Sequence, residues 1–110
     1  MAYRVILEAT AQQDALDYAA YIIQESQEPS VAAKWLLGLE EAIESLAEMP
    51  RRFRIIDEEA EFSLELRQFV YHSHRVIFHV KDDDCSVHVL RIYHALRDAV
   101  RLTDLPIGMP

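Results

Sequence analysis

Four arginines, a tyrosine and a histidine are the residues of this chain best suited to chemistry on phosphate. Arg67, Arg75, Arg91 and Arg97 recur through its second half, and Tyr93-His94 stands between the last two. A guanidinium offers a planar pair of donors to phosphate oxygens, and an imidazole that titrates near neutrality moves protons. Together they suit RNA phosphodiester cleavage, in which the 2′-hydroxyl attacks the adjacent phosphorus, a base takes its proton and an acid protonates the leaving oxygen. Arginine would stabilise the charge that builds on the phosphorane. On that reading Arg75, His94 and Arg67 are the candidate catalytic residues. Arg67, Arg75, Arg91, Tyr93 and Arg97 read alternatively as a target-binding surface with no chemistry of its own, because arginines on the solvent face of a sheet are common.

Other chemistries fit less well. The single Cys85 has no partner for an internal disulfide, and Asp82-Asp-Asp84 beside it would raise a thiol pKa rather than lower it. Cys85 therefore reads as a residue at the start of a strand. His72 and His74 lie two apart and His79 and His88 read as cross-strand neighbours, but a zinc site wants three or four converging ligands and no ligand spacing is present. No metal and no cofactor are expected.

The elements that must position these groups follow from periodicity. Tyr3 to Leu7 is a short β-branched and aromatic run, a first strand. Thr10 offers an N-cap with Gln13 as its capping-box return, and Ala11, Ala15, Leu16, Ala19, Ile22 and Ile23 then recur at helical spacing up to about Ser26. Pro29 suits the first turn of a second helix, whose stripe of Val31, Trp35, Leu39, Ala42, Ile43 and Leu46 runs to the stop at Pro50. So short a link between the helices makes them a hairpin. Tyr18, Tyr21 and Trp35 belong to these helical patterns, where packing is the first demand on them.

The basic Arg51-Arg-Phe-Arg54 and acidic Asp57-Glu-Glu59 form a loop of undetermined conformation. Phe62, Leu64 and Leu66 alternate with Ser63, Glu65 and Arg67 as a half-buried strand. The chain turns near Tyr71-His-Ser73 into Arg75–Val80, turns again at Lys81-Asp-Asp-Asp84, and runs on from Cys85 to Tyr93. Hydrophobic matching pairs Phe78 with Val87 and Val76 with Val89 on the helix side, leaving Arg75, His79, His88, Leu90, Ile92 and His94 on the other face; a slip of one residue would reverse the last strand. The expected architecture is α+β, strand-helix-helix-strand-strand-strand, an αα-hairpin packed on a small antiparallel sheet. Residues 1–98 form one domain, and 99–110 form a Pro-containing tail that is mobile unless docked.

The 110 residues are 51% hydrophobic with 2 Gly, which suits one folded domain with a single core. No apolar run approaches the roughly 20 residues that span a bilayer, and Met1-Ala-Tyr-Arg4 lacks the apolar stretch of a signal peptide, so the expected compartment is the cytoplasm. The formal charge of −8 repels a phosphate backbone and counts against broad nucleic-acid binding. That charge is uneven. Glu25, Glu28, Glu40, Glu41, Glu44 and Glu48 make the helical half acidic, while the arginines from Arg51 onward leave room for a local basic face.

The order of elements, together with Glu65-Leu-Arg-Gln-Phe69, His74-Arg-Val-Ile-Phe78 and Leu90-Arg-Ile-Tyr-His-Ala-Leu-Arg-Asp98, resembles the RelE/ParE superfamily of bacterial toxins. The resemblance runs from Tyr3 to about Asp98. In its ribonuclease branch, similar to RelE and YoeB, a middle-strand arginine and a terminal Tyr-His-Tyr act on ribosome-bound mRNA. Arg75 and Tyr93-His94 match those positions, but Ala95 stands where that branch has its last tyrosine, and the lysine cluster of RelE is missing. His94-Ala-Leu-Arg-Asp98 looks more like the ParE branch, whose members bind DNA gyrase and stall it on cleaved DNA without an active site of their own. The resemblance therefore implies a ParE-like toxin of a type II toxin-antitoxin or plasmid-stabilisation pair, in a hetero-oligomer with a cognate antitoxin. The alternatives are a RelE-like mRNA endoribonuclease and a degenerate toxin that only binds its antitoxin. Family antitoxins lay a helix in the hairpin groove and sometimes add a strand to the sheet edge, and Tyr18, Tyr21 and Leu36 are the expected contacts.

Overall fold

A computed structural model describes residues 2–56 and 65–94. Strand β1 (Arg4–Leu7) leads into helix α1 (Ala9–Ser26), and a two-residue link returns helix α2 (Pro29–Glu44) against it. The link works because Gln27 takes the left-handed conformation, φ 60°, and donates its N–H to the Ile23 carbonyl, while Pro29 opens α2 where an N–H has no intrahelical acceptor. Two short 3₁₀ turns, Ser45–Ala47 and Pro50–Arg52, follow, and then β2 (Arg67–Tyr71), β3 (His74–Lys81) and β4 (Ser86–His94).

β2, β3 and β4 form the expected antiparallel meander, whereas β1 pairs in parallel with β4, so the sheet is mixed, in the order β1-β4-β3-β2. Parallel pairing needs a long connection rather than a tight turn, and the helical hairpin and meander between β1 and β4 supply one. The described part of the second strand begins at Arg67; Phe62 and Leu64, expected in it, lie outside the described residues.

One face of the sheet packs under the helices, where Val76, Phe78, Val80, Val87, Val89 and Ile92 meet Ala11, Ala15, Leu39 and Ile43. A second buried cluster holds Ile56, Leu66, Ile77, Leu90 and Tyr93. Strand alternation puts Ile77, Leu90 and Tyr93 of that cluster on the opposite face.

The β3/β4 register differs from hydrophobic matching. Ile77 pairs with Arg91 and Phe78 with Val89, so Leu90 is an extra residue, a β-bulge. Val76, Phe78, Val87 and Val89 still face the helices, but in the pairs Phe78–Val89 and Val76–Ile92. Beyond the bulge the alternation of β4 is inverted. Ile92 joins the helix-side core and His94, paired with His74, follows it, correcting their assignment to the outer face.

What holds the bulge is α1. β1 reaches only as far as Val89 on β4, leaving the next stretch of that edge without a strand neighbour among the described residues. There the Thr10 hydroxyl donates to the Leu90 carbonyl (2.7 Å), and Asp14, one helical turn later, accepts the Ile92 N–H (2.9 Å) and a two-pronged Arg91 (2.7 and 2.9 Å). Thr10 is therefore not the N-cap: α1 begins at Ala9 after Glu8, and Gln13 donates to Asp17 instead of closing a capping box. The long-range bond to a bare strand carbonyl has taken the hydroxyl away from local capping.

The basic loop is partly structural. Arg51 grips Asp82 with two bonds of 2.8 Å, tying a 3₁₀ turn to the β3–β4 turn, and Arg52 donates to the carbonyls of Ser45, Glu48 and Met49. Cys85 closes the β3–β4 turn at φ 51° instead of opening the strand.

Candidate functional site

The five described residues of the constellation do not converge. Arg75 and Tyr93 are cross-strand partners, and Ile77 pairs with Arg91, which places Arg75, Arg91 and Tyr93 on the face away from the helices. Arg75 Nε donates to Gln68 Oε1 at 2.7 Å. Arg91 lies over the Tyr93 ring, 4.9 Å from its centroid, while its charge is met by Asp14 around the edge of β4. Tyr93 is 2% exposed and packs with Ile77 and Leu90, so it serves the core of that face more than its surface.

Arg67 points the other way. It pairs with the core residue Phe78 and shares the strand row of Phe69 and Tyr71; its Nη1 donates to the Phe53 carbonyl (2.7 Å) and its Nη2 to Glu65 (2.7 Å). His94 also belongs to the helix side. The sheet thus stands between Arg75 and the other two residues expected to act with it. Arg97 lies outside the described residues.

His94 instead completes an aromatic and histidine cluster that the sequence reading did not assemble. His74, 3% exposed, meets Tyr18 edge-on at 4.1 Å between centroids, Trp35 at 5.3 Å and His94 at 5.3 Å. Tyr18 stacks on Tyr21 and Trp35, and Trp35 continues to Tyr71. His72, expected on the same side of a strand as His74, sits in the two-residue β2–β3 turn at φ 51°. Among the described residues no group of His, Cys, Asp and Glu is placed to hold a metal: His79 contacts the Glu65 carbonyl, and His88 bridges Glu8 and Ser86.

Burial pushes the His74 imidazole below the ordinary histidine range, and His94 and His72 add to the shift. The unfolded chain takes up this proton near pH ~6.5 and the folded chain only at a lower pH. Between those two values the unfolded state holds more protons, so the His74 contribution to stability is complete above the interval and is lost as pH falls through it. Thermal unfolding is expected at a lower midpoint at about pH 5.5 than at about pH 7.5, and His74→Phe should flatten part of that slope. An unchanged slope in the variant would assign it to other groups.

The expected partner contacts separate into two places. Leu36 lines a groove of about 420 Å³ with Val5, Leu7, Leu16, Leu39 and Ile43, and Glu40 and Glu44 also line it. Leu16, half exposed, is its most accessible apolar member, and periodicity alone had assigned it to the core. Tyr18 and Tyr21 line a different cleft, across α1, with Asp14, Asp17, His74 and His94.

A sequence family described as the ParE toxin of the type II toxin-antitoxin system, parDE, matches residues 5–99. The chain belongs to this family. No curated protein matches the sequence. Among solved structures, the ParE-family chain is similar to a chain of the chromosomal ParDE system from P. aeruginosa: 16% identity over 84% of this chain and 95% of that one, TM-score 0.68. It is also similar to a chain of the RelBE2 toxin-antitoxin complex from Mycobacterium tuberculosis: 20% identity, 86% and 99% covered, TM-score 0.55. A chain of the RelE-RelB complex from Pyrococcus horikoshii gives 20% identity, 89% and 100% covered, and a TM-score of 0.52. At these identities the structures speak for the fold, which the ParE-family chain shares. No helix among its described residues is long and apolar enough to cross a membrane.

Proposed function

We propose that this ParE-family chain is a cytoplasmic toxin that inhibits DNA gyrase and is neutralised by a cognate antitoxin. The observation that carries the choice over mRNA cleavage is the division of the basic cluster by the sheet. General acid-base cleavage needs its proton-transfer group and its phosphate-binding arginine around one phosphorus, whereas Arg75 lies on one face of the sheet and His94 and Arg67 on the other. A toxin that acts by binding a protein needs no such convergence, and a charge of −8 suits a protein target better than ribosomal RNA. On this reading Arg67, Arg75 and Arg97 stay as target-binding candidates, while Arg91 is held by Asp14 and Tyr93 serves the core.

Induction of the chain alone in a bacterial host tests this. Early arrest of DNA synthesis with an SOS response, and loss of supercoiling by purified gyrase, are the expected results. Immediate loss of translation with cut mRNA would overturn the reading in favour of the endoribonuclease. Normal growth would leave a degenerate toxin that only binds its antitoxin.

The antitoxin is assigned to the apolar groove around Leu36, because an amphipathic helix anchors by inserting apolar side chains into such a groove. Leu36→Glu would set a charge among Leu7, Leu16 and Ile43 and is expected to weaken antitoxin affinity by at least about tenfold. Calorimetry on the purified pair checks this, with circular dichroism to show that the variant is folded.

A further inference from the structure

We propose that the cleft on the other side of α1, where Tyr18 and Tyr21 face the ends of β3 and β4, is a cation site that takes the guanidinium of an arginine side chain from a partner polypeptide. The proposal rests on the toxin-antitoxin reading only in that it supposes a polypeptide partner.

The cleft holds about 280 Å³, room for one side-chain head group, and no lysine or arginine among the described residues lines it. Its two carboxylates differ. Asp14 is already committed to Arg91 and the Ile92 N–H, while among the described residues Asp17 receives only the neutral amide of Gln13, at 2.8 Å, so the exposed Asp17 is the carboxylate available to a cation. Beside it stand the rings of Tyr18 and Tyr21, 5.5 Å apart between centroids, with Tyr21 52% exposed. A cation over such faces gains from the ring quadrupole.

A second, independent observation comes from His74. It lines the same cleft, is 3% exposed, and its Nδ1 is buried with no hydrogen-bond partner among the described residues. A buried polar atom left unsatisfied is costly, and a donor in the cleft would relieve it once the imidazole that lines the cleft turns Nδ1 toward it. The imidazole titrates below the ordinary range, so at neutral pH the ring is uncharged and one of its nitrogens is an acceptor.

Guanidinium fits this set better than ammonium. Its plane stacks on tyrosine while its in-plane donors reach a carboxylate and a second acceptor together, whereas a lysine head is a compact point charge. Stacked nucleobases are disfavoured because their phosphates would meet Asp14, Asp17 and the negative charge of the whole chain.

Titration of the purified chain with N-acetyl-arginine-N-methylamide, followed by NMR at the Trp35 indole and the His74 ring, tests the site. Blocked lysine and blocked citrulline, the uncharged shape mimic of arginine, serve as controls. Saturable shifts with arginine, weaker ones with lysine and none with citrulline are expected, with Asp17→Asn weakening arginine by roughly tenfold and Tyr21→Ala acting in the same direction. Both substitutions are at exposed positions on α1, and the NMR spectrum itself reports whether each variant is folded. Citrulline binding as well as arginine, no saturable shift with any probe, or an unaffected Asp17→Asn variant would overturn the cation site. Lysine equal to arginine would overturn the guanidinium assignment. Failure of the toxin reading would appear separately, as normal growth on induction, with the titration unchanged.

Discussion

Asp14→Ala is expected to cost about 3 kcal/mol of stability and to lower the thermal midpoint by on the order of 15 °C. Asp14 is a single side chain with two structural duties: it accepts the Ile92 N–H at 2.9 Å and binds Arg91 through two bonds, with only 15% and 18% of the two charged side chains exposed. Truncation leaves a strand N–H without its acceptor just past the bulge and takes the carboxylate from Arg91. Hydrogen bonds to charged groups contribute about 1.5–3 kcal/mol, and breaking a buried pair from one side costs more than the pair was worth. Asp14→Asn keeps an acceptor for Ile92 and should recover part of the loss. Denaturant unfolding of the three proteins checks the order wild type, Asn, Ala. If Asp14→Ala unfolds within about 0.5 kcal/mol of wild type, as an ordinary surface change would, the α1 clamp on β4 is not what fixes the bulge.

Gly38→Ala is expected to destabilise by about 2 kcal/mol, although alanine is the better helix former. Gly38 lies within α2 where the helix crosses the end of β2, and a Cβ built there would fall 2.3 Å from the Tyr71 hydroxyl oxygen and 3.3 Å from the ring carbon that bears it. That hydroxyl donates to the Trp35 carbonyl at 2.9 Å, and the ring is held against Trp35 and His72. Making room means moving a packed tyrosine and losing its hydrogen bond, against a propensity gain of about 1 kcal/mol. Because the contact is with the oxygen, Tyr71→Phe removes the collision. The double variant Gly38→Ala/Tyr71→Phe should therefore be more stable than Gly38→Ala alone, a coupling that a double-mutant cycle measures directly. Additive losses would show that the strain arises elsewhere along α2.

Both predictions fall where long-range contact overrides local pattern, and the comparison of sequence with structure divides along the same line. Pro29, the 3.6-residue stripes and the polar breaks were enough to place two helices and then three strands, because each signal lies within one turn or one hairpin. The helix-facing set Val76, Phe78, Val87 and Val89 was also legible, since a strand with one buried face shows its alternation directly. The Leu90 bulge was not. Nothing local marks it, and it is held by Thr10 and Asp14 through bonds that span 77 or more residues.

The candidate site was lost at the same point. Arg75, Arg67 and His94 look like neighbours while β4 alternates evenly; one extra residue turns His94 beneath the helices, and the pairing of Arg67 with Phe78 turns its side chain from Arg75. The replacement cluster of Tyr18, Trp35, His74 and His94 draws on both helices and two strands, and only the register brings its members together.

The amino-acid sequence by itself determined the class of fold, the order of elements and the acidic helical half, because composition, periodicity and turn chemistry act over a few residues. The tertiary structure alone decided that β1 joins β4 in parallel, that Leu90 bulges, that Asp14 neutralises Arg91 and that the basic cluster is split across a sheet. Those outcomes depend on which unsatisfied strand groups come to lie beside α1 once the hairpin has packed, and hydrogen-bond partners far apart in the chain leave no mark on its local pattern.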